Sequence, residues 1–290
     1  MRISGFLAVG SAWIMEWGRE IDIAAARKAF SEKQRVVVNN ALTMEAAFAL
    51  YQSISYITEK NLWYQSRWGN GRYFDRESSD PKNYVPQANF CYQFDKYPVS
   101  NISLNGLVGA RFGDSRRPDF RDVLPFGSHP EEELPNGHPL LYLGDFLNSK
   151  ACVDVIGHIT GQSLPEQGTL SFLSRYMSGD FISTHDDGLT ENGGRRIAFV
   201  YSLTRDWLPH WGGHTMFMDN DDCSVAEAIL PKFNSLVLFA VPTLHAVSTI
   251  ASFCTEPRYA VTGWFHAKSM AERRKDAELR EAKAREAAQK

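Results

Sequence analysis

Cysteine is scarce in this chain and never paired in sequence: Cys91, Cys152, Cys223 and Cys254 stand far apart, with no CxxC among them. A zinc ribbon needs such pairs and a disulfide-stapled fold needs a denser framework, so both are disfavoured and a reducing, cytoplasmic compartment is expected. Charge of one sign is lacking too. Lys and Arg number 31 against 34 Asp and Glu, the net charge is −3, and no long basic run offers a nucleic-acid surface. Nor does any segment reach the roughly 18 apolar residues that span a membrane. Ile3 to Met15, behind Arg2, is fairly apolar, but Ser4, Gly5, Gly10 and Ser11 interrupt it and Glu16 and Glu20 follow. Residues 1–21 are therefore expected to be a loosely ordered leader rather than a signal peptide.

What is present fits a soluble globular domain: 290 residues, 43% hydrophobic and 22% charged. Residues 22–34 read as a helix with Asp22 as N-cap and Ile23, Ala26 and Phe30 near one face. Arg35 to Val38 is a short strand. Thr43 caps a second helix, in which Ala47, Leu50, Tyr51 and Ile54 recur at helical spacing. Residues 56–97 are dense in aromatics, and Phe90, Tyr92 and Phe94 alternate like a buried strand face. Gly113 to Gly137, rich in Pro, Gly and charge, predicts a loop. One helix is expected from Pro139 to Thr160, closed by Gly161.

After Gly161 the pattern changes to short runs separated by turn residues: 170–176, 181–186, 196–203, 214–218, 235–241, 245–250 and 258–266. Such spacing predicts a β-sandwich or jelly roll. The fold class is thus mainly β with flanking helices (α+β). Residues 22–266 form one domain, with a helical N-terminal part (22–161) and a β core (162–266). Residues 267–290, almost all Ala, Glu, Lys and Arg, make a solvated helix or tail.

His185-Asp186-Asp187 lies at the end of a predicted strand. On extended chain, residues i and i+2 share a face, so His185 and Asp187 can grip one ion while Asp186 points away. His245, at the start of a later strand, can supply a third ligand. Two histidines and a carboxylate on one side of a metal leave three positions open, which suits iron(II) oxygenases. An HxD alone is weak, but thirteen residues beyond His245 stands Arg258, opening the strand Arg258-Tyr-Ala-Val-Thr-Gly-Trp-Phe265. A dicarboxylate chelated through its keto-acid end needs a cation at its far carboxylate, and arginine provides a planar fork.

These residues fall within a longer series of motifs. The series runs Tyr176-Met-Ser-Gly-Asp-Phe-Ile-Ser-Thr-His-Asp-Asp187, Arg195-Arg-Ile-Ala-Phe-Val-Tyr-Ser-Leu-Thr204 and Trp207-Leu-Pro-His-Trp-Gly-Gly213. It continues with Phe217-Met-Asp219, Pro231-Lys-Phe-Asn-Ser-Leu-Val-Leu-Phe239, Val241-Pro-Thr-Leu-His-Ala-Val-Ser248 and Arg258-Tyr-Ala-Val-Thr-Gly-Trp264. Together they resemble the prolyl-hydroxylase-like 2-oxoglutarate oxygenases, in the branch of the hypoxia-factor and yeast ribosomal prolyl hydroxylases and their bacterial relatives. The resemblance implies a double-stranded β-helix, Fe(II) held by His185, Asp187 and His245, and 2-oxoglutarate held by Arg258 with Tyr176 as a second contact. It also implies dioxygen as co-substrate, release of succinate and CO2, ascorbate as a candidate reductant, and hydroxylation of a C–H bond, first of all in a prolyl residue of a protein. Hydroxylation of a free amino acid or small metabolite is the alternative. In two places the chain departs from the pattern: Ser202 stands where the hypoxia-factor enzymes tend to have a tyrosine, and the loop from His245 to Arg258 is longer.

Other features have blander readings. His210 and His214 flank Trp211-Gly-Gly213, where glycine disfavours a helical metal pair. The aromatic segment could form a lid over a substrate, though aromatics at this density usually pack a core. Arg111, Arg116, Arg117 and Arg121 could attract an acidic substrate or simply be solvated. A halogenase would need Gly or Ala in place of Asp187, and a silent jelly-roll binding module has no need of His185, Asp187, His245 and Arg258 together.

Overall fold

The computed structural model describes residues 14–69, 72–73, 92–100, 134, 137–188 and 194–288. The helices begin where capping chemistry places them. In α1 (Ile23–Lys33) the Asp22 carboxylate accepts from Ala25 N at 2.9 Å, and in α2 (Met44–Glu59) Thr43 accepts from Ala46 N at 3.4 Å. Each satisfies an amide that has no partner within its helix. The single helix expected over 139–160 is in fact two, α3 (Pro139–Leu147) and α4 (Lys150–Thr160). The break falls at Asn148-Ser149, two residues whose side chains compete for backbone groups. Asn148 donates to Gly144 O and accepts from Thr169 N, both at 3.0 Å, while Ser149 caps Cys152 N. Tying the helix end to the first core strand outweighs continuing the helix. Residues 270–288 form a polar helix, α5 (Met270–Ala288).

The strands are β1 (Arg35–Asn39), β2 (Tyr64–Gly69), β3 (Arg72–Tyr73), β4 (Tyr92–Ser100), β5 (Thr169–Tyr176) and β6 (Phe181–His185). They continue with β7 (Arg195–Ser202), β8 (Thr215–Met218), β9 (Val225–Ile229), β10 (Ser235–Ala240), β11 (His245–Val247) and β12 (Arg258–His266). The order β1-β10-β7-β12-β5-β4-β6-β11-β8-β9 is one antiparallel path, with β2 paired to β4 and β3 to β2. β9, which is not among the strand runs expected from the sequence, is a strand whose mostly exposed Val225-Ala-Glu-Ala-Ile229 gave little hydrophobic signal.

The path folds back on itself. Ala198, Val200, Val237, Phe239 and Ala260 pack against Phe217 of β8 in one cluster. Their sequence neighbours Phe199, Tyr201, Leu236, Leu238 and Val261 point the opposite way, into a cluster with Phe30, Leu50, Leu143 and Ile156 of the helices. Alternate residues of a strand face opposite sides, and here both sides are covered. That is why Ile197 to Ser202 is buried without a break. The result is a double-stranded β-helix with helices on one outer face. The terminal strands β1 and β9 are joined by an ion pair, Arg35 to Glu227 at 2.7 Å, a half-exposed contact of a kind contributing ~0–1 kcal/mol. Trp63 and Tyr97 lie in the helix-facing core. The leader up to residue 13, Phe90, the side chains of Tyr92 and Phe94, and the arginines at 111, 116, 117 and 121 lie outside the described residues.

Two buried histidines give the fold an acid limit. Burial lowers the pKa of His138, at the start of α3, from 6.5 to about 4. Burial, joined by the charges of Arg273 and Arg195, lowers that of His266 to about 3. Both folded values lie below the unfolded one, so on acidification the unfolded chain takes up protons first. Stability should be fully present above pH 6.5 and fall as pH drops from 6.5 towards 4. Urea midpoints measured across this range test it. His138→Asn, which retains an N-capping side chain, should flatten the dependence; equal slopes in both proteins would contradict the assignment.

Candidate metal centre

His185 closes β6, His245 opens β11, and the two are direct cross-strand partners. Opposed residues of neighbouring strands put their side chains on one face, and the imidazole centroids lie 4.1 Å apart. Asp187 joins them by a route that extended geometry did not predict. The strand ends at His185, and Asp187 has φ 61, in the left-handed region. This turn brings its carboxylate back, with Oδ1 3.7 Å from His185 Nε2 and Oδ2 3.5 Å from His245 Nε2. One ligand atom from each residue lies within 4.8 Å of the others. Asp186 is exposed and accepts from Gly188 N at 2.9 Å.

The protonation pattern suits a divalent ion. His185 Nδ1 lies 2.9 Å from Ser183 O, and His245 Nδ1 lies 2.8 Å from Thr243 O. A carbonyl can only accept, so each Nδ1 carries the hydrogen and each Nε2 keeps a lone pair for a metal. Burial, reinforced by the neighbouring His185, lowers the His245 pKa to about 4 and keeps that ring neutral. At Asp187 burial acts upward, but the neighbouring His185 and His245, the Arg195 guanidinium and the Trp264 N–H favour the ionised form and together hold it below the ordinary carboxylate range.

Two donors to Asp187 were not assigned from the sequence. Arg195 Nη1 donates to Oδ1 at 3.0 Å and to the Asp187 carbonyl at 3.3 Å, and Trp264 Nε1 donates to Oδ2 at 2.7 Å. Both residues lie inside recognisable motifs, but only the pairing of β7 with β12, which brings their strands side by side, reveals the contact.

Arg258 is 1% exposed, opposite Tyr176 across the β12–β5 ladder, with Cζ 4.9 Å from the Tyr176 ring centroid. Its Nη2 donates to Thr215 Oγ1 at 3.3 Å, and among the described residues its Nε has no hydrogen-bond partner. Among the described residues it forms no ion pair. A buried cation without a counter-ion is costly unless a ligand supplies the charge, so burial lowers its pKa. Gly213, at φ 67, leaves room for it: a Cβ there would lie 2.9 Å from Arg258 Cδ. On β8, Thr215 touches Arg258 and Phe217, two residues on, packs 6.5 Å from the His245 ring. Thr215 and Phe217 share one face of β8, so this short strand contacts both the arginine and the triad. Ser202 is buried on β7, where its hydroxyl accepts from Thr204 N at 3.3 Å. His210 is exposed and stacks on Phe253, away from the triad, and His214 is half-buried and outside the triad. An apolar gap lined by Trp17, Leu42, Phe146, Phe199 and Tyr201 lies on the helix-facing side of the sheet and is not part of this site.

Fold and site together define a class. Residues 171–266, which contain the triad, Arg258 and Tyr176, match the model of the 2OG-Fe(II) oxygenase superfamily. Fe(II) and 2-oxoglutarate are the cofactor and co-substrate this family uses. Over 103 residues the chain is 33% identical to prolyl 3-hydroxylase OGFOD1 of Mus musculus, a match covering 33% of this chain and 18% of that protein. Over 146 residues it is 29% identical to prolyl 3,4-dihydroxylase OGFOD1 of Ostreococcus tauri, covering 47% and 27%. The chain thus spans about a quarter or less of the length of these relatives. A prolyl hydroxylase from Trichoplax adhaerens, solved with a peptide of the hypoxia-inducible factor oxygen degradation domain, shares the fold. Its TM-score is 0.51 at 17% identity, with 84% of this chain and 88% of that chain covered.

Proposed function

We propose that this protein is an Fe(II)- and 2-oxoglutarate-dependent dioxygenase that hydroxylates a prolyl residue of a protein substrate. The observation that carries the reading is the pairing of a three-ligand cluster with a buried arginine that has no counter-ion among the described residues, inside one roll. When bound, iron and 2-oxoglutarate supply the chemistry: dioxygen is consumed, 2-oxoglutarate becomes succinate and CO2, and one oxygen enters a C–H bond. The chain's residues do the rest. His185, Asp187 and His245 would hold the metal through two imidazole nitrogens and one carboxylate oxygen. Arg258, with Tyr176 beside it, takes the far carboxylate of 2-oxoglutarate in a site closed to water. Ascorbate would serve as the reductant that restores Fe(II).

The prolyl assignment rests on the relatives, which are prolyl hydroxylases by name, and a shared fold constrains chemistry better than substrate. A free amino acid or metabolite is the competing substrate class, since it needs a closed pocket where a peptide needs an open groove. The segments that would decide between them by shape, most of residues 70–133, lie outside the described residues. Incubation with proline-containing peptides and with a panel of free amino acids and metabolites, read by mass gain of one oxygen, separates the two. Peptides should gain the oxygen. Turnover of metabolites alone would overturn the prolyl reading and leave the metal chemistry standing.

A further inference from the structure

We propose that Arg195 and Trp264 act as one positioning brace that holds Asp187 in its ligating conformation and thereby sets the metal affinity of the site; this rests on the triad being the metal site. Asp187 sits at φ 61, a conformation that L residues seldom adopt and that must be held by its surroundings. Arg195 holds it at two points, carboxylate Oδ1 at 3.0 Å and backbone carbonyl at 3.3 Å. Trp264 holds the other carboxylate oxygen at 2.7 Å. The two are not independent, because the Arg195 guanidinium lies over the Trp264 ring at 3.7 Å, close enough for a cation–π contact. Removing either loosens the other.

The sign of the effect separates this role from a simpler one. As a counter-ion alone, Arg195 neutralises Asp187 and repels an incoming dication, so its loss would tighten metal binding. As a brace, it keeps a strained turn and a buried carboxylate aimed between two imidazoles, so its loss would weaken binding. Contact with the backbone carbonyl as well as the carboxylate favours the brace, since a counter-ion has no need of the carbonyl.

The test is a titration of the purified full chain with Mn(II), following free Mn(II) by electron paramagnetic resonance. Wild type is compared with Trp264→Phe, Arg195→Met, Arg195→Lys and the Arg195→Met/Trp264→Phe pair. Trp264→Phe and Arg195→Met should each weaken binding ~10–100-fold. The double variant should lose less than the product of the two, as expected of groups acting through one contact. Arg195→Lys, which can keep one of the two contacts, should recover part of the loss. Urea midpoints of the metal-free proteins identify any variant that fails to fold. If Arg195→Met does, Trp264→Phe, which removes the N–H donor and leaves an aromatic ring in its place, decides. Unchanged affinity in Trp264→Phe, or tighter binding in Arg195→Met, would overturn the brace. Wild type that binds no Mn(II) would instead overturn the metal site itself, and the brace with it.

Discussion

His185→Ala, Asp187→Ala and His245→Ala should each abolish hydroxylation and the succinate formation coupled to it, with the metal-free fold retained. The argument is one of ligand count. Three protein ligands on one face leave three positions for co-substrate and dioxygen, and two ligands cannot hold the ion in that arrangement. Loss of a supporting hydrogen bond costs ~10–100-fold in metal affinity or activity, and loss of a ligand should cost more. The fold should survive because the triad sits at strand ends and a turn, outside the clusters that join helices to sheet. Turnover assays on the three variants, with circular dichroism to verify folding, check this. Wild-type activity in any one of them removes that residue from the metal site.

Arg258→Leu should raise the Michaelis constant for 2-oxoglutarate by roughly 10²-fold or more, from the ~3–5 kcal/mol cost of truncating one partner of a buried charge pair. The same substitution should leave the stability of the metal-free protein unchanged or higher. In the absence of ligand it removes a buried cation that, among the described residues, has no carboxylate partner and whose Nε has no hydrogen-bond partner. Opposite effects on affinity and stability are the signature of a residue kept for its ligand. An unchanged Michaelis constant would refute the assignment. A large loss of stability would mean that Arg258 is a structural residue instead.

Much of this architecture was legible in the sequence, and for identifiable reasons. Asp22 and Thr43 are capping residues placed directly before amphipathic runs, so the starts of α1 and α2 could be located. The strands buried on both faces, such as Ile197 to Ser202, announced themselves as short apolar runs. β9 did not, because an edge strand with exposed side chains carries no such pattern. The division of 139–160 into two helices turned on Asn148, whose side chain bonds a strand residue 21 positions away, a contact no local propensity encodes. At the site, spacing identified His185 and Asp187, yet the left-handed turn that joins them was invisible to an argument from extended chain. Arg195 and Trp264 stayed without a role for a related reason: their meeting at Asp187 depends on the pairing of β7 with β12, which motif spacing does not state.

The central claim is that one roll couples a metal triad to a 2-oxoglutarate carboxylate receptor. Succinate formation by the purified protein, with proline-containing peptide and dioxygen present and Fe(II) and 2-oxoglutarate added or withheld, tests it most directly. The account predicts one succinate for each oxygen gained by the peptide, none without Fe(II) or without 2-oxoglutarate, and none from His245→Ala under any of these conditions. Peptide oxidation that continues at the same rate without 2-oxoglutarate, or succinate formation undiminished in His245→Ala, would contradict it.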